Sequence, residues 1–110
     1  MHAQHGRNFT FFEAPVGLIF SIDRIMERGC WLDYGMFLQS VMLAARGRGL
    51  DTCPEAAIAQ SHEIVQRELK IPADRQVVCG MALGFGRTAT VNTLITEREP
   101  VNGFTRFEGF

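Results

Sequence analysis

The chain has 110 residues, of which 46% are hydrophobic and 21% charged, so we expect a single domain, residues 1–110, that is large enough to bury a core. Its formal net charge of -1 supplies no basic footprint for nucleic acid, and its longest apolar run is too short to span a bilayer, so we expect neither partner. Three widely spaced cysteines without a CxxC pair, and no recognisable signal peptide, predict a reduced, cytoplasmic protein.

The N-terminal region divides into a polar arm and an apolar strand. Residues Met1–Thr10 lack periodicity and predict a loosely held arm, whose His2 and His5 have no cysteine or acidic companion and so do not predict a metal site. Residues Phe11–Asp23 are β-prone and almost continuously apolar, and Pro15 lies near their start, where a missing N–H does least harm. We therefore predict a strand that is buried on both faces.

A long helix is predicted for Trp31–Gly49. Its apolar residues recur at three- and four-residue spacing, and further apolar residues fill the other faces, so we expect this helix to be buried. Gly35 in its interior indicates close approach of a neighbouring backbone or a flat ligand, or a simply tolerated glycine. Beyond the helix, Leu50–Pro54 predicts a short extended segment.

The next two elements complete a predicted α+β fold. Residues Glu55–Lys70 have the apolar stripe of an amphipathic helix, with Pro54 just before its start. Residues Val77–Phe85 predict a second apolar strand. We expect a small mixed sheet, built from Phe11–Asp23 and Val77–Phe85 and covered by the two helices.

The C-terminal tail, Val91–Phe110, has no strong period but carries Phe104, Phe107 and Phe110 at three-residue spacing. Such a tail is costly to leave in water, so it should pack on something. Packing across a partner subunit and packing on the chain's own core are both open from the residues alone.

Four segments, in this order along the chain, resemble the nitroreductase family of FMN-dependent NAD(P)H oxidoreductases. They are FFEAPVGLIFSID (Phe11–Asp23), WLDYGMFLQSVMLAARGRGLDTCP (Trp31–Pro54), VVCGMALGF (Val77–Phe85) and VNTLITEREP (Val91–Pro100). Members of that family are roughly double this length, and the chain resembles only their C-terminal half.

The resemblance implies FMN as cofactor, NAD(P)H as co-substrate, and a nitroaromatic, quinone or flavin as electron acceptor. It also implies a homodimer in which each tail embraces the neighbouring subunit. Because the flavin carries the electrons, this chemistry needs no catalytic side chain and no metal, and we predict neither.

The cofactor-binding positions that the resemblance implies are one continuous loop and one distant arginine, namely Cys53, Pro54, Glu55, Ala56, Ala57 and Arg98. The loop matches the family segment that runs along the isoalloxazine ring, with the backbone N–H groups around Glu55 and Ala56 directed toward the flavin N5 region. Alternatively, Pro54 and Glu55 simply begin a helix. Arg98 matches a basic position that contacts the FMN phosphate, although an arginine between two glutamates also suits a surface ion pair.

The N-terminal half of the family, which supplies much of the grip on phosphate, ribityl chain and ring, has no counterpart in this sequence. Three interpretations follow. The chain is a fragment or truncated product of an FMN-dependent oxidoreductase, or a shortened homologue that has lost FMN and serves as a small dimeric binding module, or an unrelated α+β domain whose likeness is only architectural.

Overall fold

The computed structural model describes residues 6–109. In chain order the elements are a 3-10 turn at Arg7–Glu13, β1 (Val16–Asp23), α1 (Arg28–Arg46), β2 (Asp51–Glu55), α2 (Ala57–Gln60), α3 (His62–Glu68), β3 (Arg75–Gly84), a 3-10 turn at Thr90–Thr93 and α4 (Val101–Phe104). Within these residues no helix combines the length and apolarity needed to cross a membrane. His2, His5 and Phe110 lie outside the described residues.

The three strands form one sheet in the order β1-β3-β2, with β3 antiparallel to both neighbours. The α+β class and both predicted strand regions are confirmed, although the sheet is antiparallel and not mixed. The third strand, β2, was expected only as a short extended segment. Because β2 lies at an edge of the sheet, it can contain Pro54, which has no backbone N–H to donate to a ladder.

The core is built where α1 crosses the sheet. Phe20, Cys79 and the fully buried Met81 form its centre. The α1 residues packed against this centre recur at helical spacing: Tyr34, Leu38, Val41 and Met42. The Tyr34 hydroxyl also donates a hydrogen bond of 3.0 Å to the backbone carbonyl of Ser21, which ties the helix to β1.

The opposite side of α1 is apolar and exposed, which corrects the expectation of a buried helix. Ala45 is the one α1 residue classed as buried. The large side chains exposed on this side are Leu32, Met36 and Leu43, and we call this surface the outer face of α1. Phe37 is also partly exposed, but its ring packs against the core residue Phe20, with the ring centroids 6.2 Å apart. The apolar residues do cover most of the helix, but this chain provides a sheet for only one side of it.

The other side of the sheet is covered by α2 and by the turn that precedes β1. A Cβ atom built on Gly80 would lie 2.7 Å from Ile58 Cγ1 and 3.1 Å from Phe11 Cε1, so both side chains press directly on the β3 backbone. Phe11 reaches this position with a left-handed backbone, φ 49°, and the predicted strand therefore begins at Val16 and not at Phe11.

The helix predicted for Glu55–Lys70 is divided into two. Glu55 is the last residue of β2, and the chain leaves helical geometry at Ser61, with φ -107° and ψ 27°, between α2 and α3. Serine favours such positions because its hydroxyl competes for backbone hydrogen bonds. The predicted apolar stripe is buried only at Ile58, whereas Ile64 and Leu69 are exposed, so the start, the continuity and the buried face of this helix were predicted wrongly.

Every described residue from 85 to 109 is exposed. The Cα radius of gyration is 17.0 Å, whereas a compact chain of this length has about 13 Å. The tail therefore does not fold back on the chain's own core, which was one of the two packing alternatives.

Two glycine substitutions test the packing. We expect Gly80→Ala to lower the free energy of unfolding by about 1–3 kcal/mol, because its methyl group would overlap Ile58 and Phe11. Gly35→Ala is the matched control: nothing lies within 4 Å of its Cβ position, so better helix propensity should stabilise the chain by about 1 kcal/mol. Urea denaturation measures both. A destabilised Gly35→Ala chain would show that another surface approaches that turn of α1.

Candidate functional site

The predicted cofactor loop lies at the edge of the sheet. In the described part of the chain β2 pairs with β3 on one side and with no strand on the other. Edge N–H and C=O groups of this kind are available to bind another molecule. The side chains of Cys53, Pro54 and Ala56 are exposed, and that of Ala57 is half-buried. The structure thus brings five of the six predicted site residues together on one surface strip.

Asp51 fixes the start of this strip. One of its carboxylate oxygens, Oδ1, accepts a hydrogen bond of 2.6 Å from Arg46 Nη1 at the end of α1. The other, Oδ2, accepts one of 2.9 Å from the backbone N–H of Gly86, just after β3. A single side chain therefore joins three segments, which holds β2 in a defined position.

Glu55 differs from the rest of the loop because its side chain points inward. The residue is 2% exposed, and within the described residues neither carboxylate oxygen has a hydrogen-bond partner. Burial raises the pKa of the Glu55 carboxyl group from 4.5 to about 7, because a charge is poorly solvated there. The sequence analysis considered only the backbone N–H of this residue. Side chains two residues apart on a strand point to the same face, so the exposed Cys53 would predict an exposed Glu55. Alternation along the strand therefore does not predict this burial.

Two thiols share the electrostatic environment of Glu55. Burial, and then the Glu55 charge, raise the pKa of Cys53 on β2 and of Cys79 on β3. Across the described part of the chain, no group of three or more His, Cys, Asp or Glu side chains is arranged to hold a metal ion.

Arg98, the sixth predicted residue, lies in the exposed tail. Its Nη1 atom donates hydrogen bonds to the hydroxyl and carbonyl oxygens of Thr96 and to the carbonyl oxygen of Glu97. Among residues 6–109 no ion pair joins it to either flanking glutamate, and no recorded contact joins it to the loop at 53–57. The structure therefore does not bring Arg98 to the other five residues.

A groove of about 320 Å³ lies elsewhere, between β1 and the start of α1. Its lining is Ile22, Met26, Cys30, Asp33, Tyr34 and Phe37. The loop at 53–57 contributes nothing to this groove, so the loop and the groove are separate features.

Comparison with known proteins places these features in context. The Nitroreductase family model matches residues 1–85. The 4-nitrobenzoate reductase of Pseudomonas putida is 50% identical over 106 residues, which are 96% of this chain and 47% of that protein. The chloronitrobenzene nitroreductase of Comamonas testosteroni is 47% identical over 102 residues, 92% of this chain and 45% of that protein. The chain thus spans about half the length of the curated relatives it matches.

A solved structure shows the same fold. The FMN and NADPH-dependent nitroreductase NfnB from Sphigopyxis sp. strain HMH superposes with a TM-score of 0.94 at 35% identity. The match covers 99% of this chain and 49% of that one.

The buried carboxyl group gives a pH prediction. A carboxyl group whose pKa is higher folded than unfolded binds more protons in the folded state, so stability should fall as pH rises from 4.5 to about 7 and then level off. Glu55→Gln removes this loss of stability, which is about 3 kcal/mol for the full change in pKa. We therefore expect Glu55→Gln to be more stable than the unsubstituted chain at pH 8, with a smaller difference at pH 5.

Urea denaturation at the two pH values measures the difference. Glu63→Gln is the control, because Glu63 is exposed on α3 and its substitution should leave the pH dependence unchanged. A difference between Glu55→Gln and the unsubstituted chain that is the same at pH 5 and pH 8 would contradict the prediction.

Proposed function

Because this chain belongs to the nitroreductase family, we propose that it forms part of an FMN-dependent oxidoreductase that transfers electrons from NAD(P)H to a nitroaromatic acceptor. The observation that carries the proposal is 50% identity to a 4-nitrobenzoate reductase over nearly the whole chain. Quinones and flavins are further acceptors of the same chemistry. Family membership excludes an unrelated α+β domain, and nothing in the comparisons favours a flavin-free module.

The loop from Cys53 to Ala57 fits the proposed contact with the flavin ring. Its first three residues end the edge strand β2, whose outer backbone groups have no strand partner among the described residues, and Ala56 and Ala57 begin α2. The exposed side chains of the loop are small or, for Pro54, compact. A planar ring can therefore approach the backbone closely. In the proposed complex, backbone N–H groups around Glu55 and Ala56 would donate hydrogen bonds to the ring.

The phosphate contact is only partly supplied. Arg98 has the guanidinium group that suits a phosphate, but its recorded contacts are local to the tail. We propose that Arg98 reaches the phosphate when the tail packs in the assembled protein. We propose that the chain corresponds to the C-terminal half of its relatives. The remaining contacts to the phosphate, ribityl chain and ring of FMN would then come from outside this chain.

FMN, when bound, accepts a hydride from NAD(P)H and passes the electrons to the acceptor. The residues of this chain would position the flavin ring. The two hydrogen bonds of Asp51 hold the start of β2, and the side chain of Glu55 is buried at its end, so the exposed backbone between them keeps its orientation. Such preorganised donors cost little reorganisation when charge develops beside them.

We also propose that two copies associate through the outer face of α1 and the tail. Burying a large apolar side chain contributes about 1.5–3 kcal/mol, so covering the outer face of α1 on both copies can offset an association cost of about 4–15 kcal/mol. The exposed tail and the large radius of gyration support the same assembly.

The thiols of Cys30, Cys53 and Cys79 are all free, which supports our assignment to the reducing cytoplasm.

The flavin proposal predicts a coloured protein. After incubation with FMN and removal of unbound cofactor by gel filtration, we expect the chain to retain visible flavin absorption bands, which NADH or NADPH should then bleach. Arg98→Ala should weaken retention, because the phosphate loses a charged partner. Arg106→Ala, which removes another exposed tail arginine, is the matched control. A chain that stays colourless would refute the proposed function.

The association proposal predicts a mass of twice 12.3 kDa in light scattering coupled to gel filtration. Leu32→Glu combined with Met36→Glu should shift the protein to monomer, because like charges would face each other across a symmetric contact. Ile64→Glu, a substitution of an exposed apolar residue on α3, should leave the mass unchanged. A monomeric unsubstituted chain would overturn the proposal.

A further inference from the structure

The buried carboxyl group of Glu55 is the one feature of the loop that cofactor contact does not use. Its backbone belongs to the exposed edge strand, while its side chain is buried and neither oxygen is hydrogen-bonded within the described residues. An unpaired buried carboxylate is costly, whereas the neutral acid is much less so. The same residue thus combines a surface backbone with an interior group that can bind a proton.

Among residues 6–109, no positive charge is paired with Glu55 to fix its carboxylate form. From β2 and β3 the titratable neighbours are the Cys53 and Cys79 thiols. From α2, which spans Ala57–Gln60, no residue titrates. None of the ion pairs recorded for residues 6–109 includes Glu55, and Arg75, the cation nearest along β3, is already bonded to Ser21 and Asp23.

On the α1 side, Tyr34 is the titratable residue that senses this cluster, through the Cys79 thiol. From the turn before β1, it is the uncharged Phe11 ring that contacts Gly80, the cross-strand partner of Glu55. The side chain of Glu55 is therefore surrounded by groups that are neutral at neutral pH. Its own protonation state will respond to any new charge placed against the loop.

Reduction of a bound flavin places such a charge there. A hydride carries two electrons and one proton, so its transfer adds one negative charge to the site unless a second proton follows. A negative charge close to a buried carboxylate disfavours the ionised form, and binding of a proton relieves the repulsion. Glu55 already lies near the balance between its two forms at neutral pH.

We propose that the Glu55 carboxyl group is the proton-holding group of the proposed flavin site. When hydride transfer oxidises NAD(P)H and reduces the ring, Glu55 binds one proton from water, forming an O–H bond on its carboxylate. When the electron pair passes to the acceptor, Glu55 releases that proton to the solvent. The inference rests on the proposed function, and it concerns a side chain to which that function assigns no contact.

The test is the pH dependence of the reduction potential of the FMN-loaded protein, measured by equilibrium titration against a reference dye. The range from about pH 7.5 to 8.5 lies just above the Glu55 pKa of about 7, where the carboxyl group of the oxidised protein is mostly ionised. The slope of the potential with pH reports the protons taken up with each electron pair. We expect about two in the unsubstituted protein and about one in Glu55→Gln. Glu63→Gln, on the exposed side of α3, should match the unsubstituted protein.

A second readout needs no variant and no turnover. The reduced-minus-oxidised infrared spectrum of the unsubstituted protein at pH 8 should show the carbonyl stretch of a protonated carboxyl group appearing on reduction. This keeps the inference testable where Glu55→Gln does not fold. The band should be absent from a folded Glu55→Gln protein and present in Glu63→Gln.

The outcomes separate the inference from the proposed function. A protein that retains no FMN refutes the proposed function, and the inference falls with it. A protein that retains FMN but shows the same pH slope with and without the Glu55 carboxyl group, or shows no new carboxyl band, refutes the inference alone.

Discussion

The pairing of β3 with strands on both sides is the constraint on which the other features depend. Its two ladders fix β1 and β2 by register, and its side chains supply Cys79 and Met81 to the α1 side of the sheet. On the other side, Gly80 provides the bare backbone against which Ile58 and Phe11 pack. β3 therefore positions the predicted cofactor loop, although β3 itself supplies none of the predicted cofactor contacts.

This dependence explains which parts of the fold the sequence predicted. β1, β3 and α1 have long apolar patterns of their own, so local periodicity identified them. β2 is short and contains Pro54, and it becomes a strand only because β3 offers a free edge. The left-handed backbone at Phe11 is likewise fixed by contact with Gly80, far away in the sequence. Neither feature has a local pattern that could predict it.

The same distinction applies to the candidate site. The loop from Cys53 to Ala57 is contiguous in sequence, so its residues remained neighbours in the structure. The inward orientation of Glu55 depends on its register opposite Gly80, a long-range pairing that no single-sequence pattern contains. Arg98 was placed by resemblance alone, and its position depends on where an exposed tail packs.

The outer face of α1 and the edge of β2 that contains Glu55 are both exposed surfaces, and each favours a different kind of partner. The outer face of α1 is apolar surface that water solvates poorly, so a covering partner stabilises it. The edge of β2 is polar backbone that water solvates well, so a covering ligand must supply hydrogen bonds. Glu55 itself is only 2% exposed, so the fold has already removed water from its carboxyl group before anything covers the edge. A ligand at this edge therefore changes the protonation of Glu55 through the charge that the ligand carries and not through further burial.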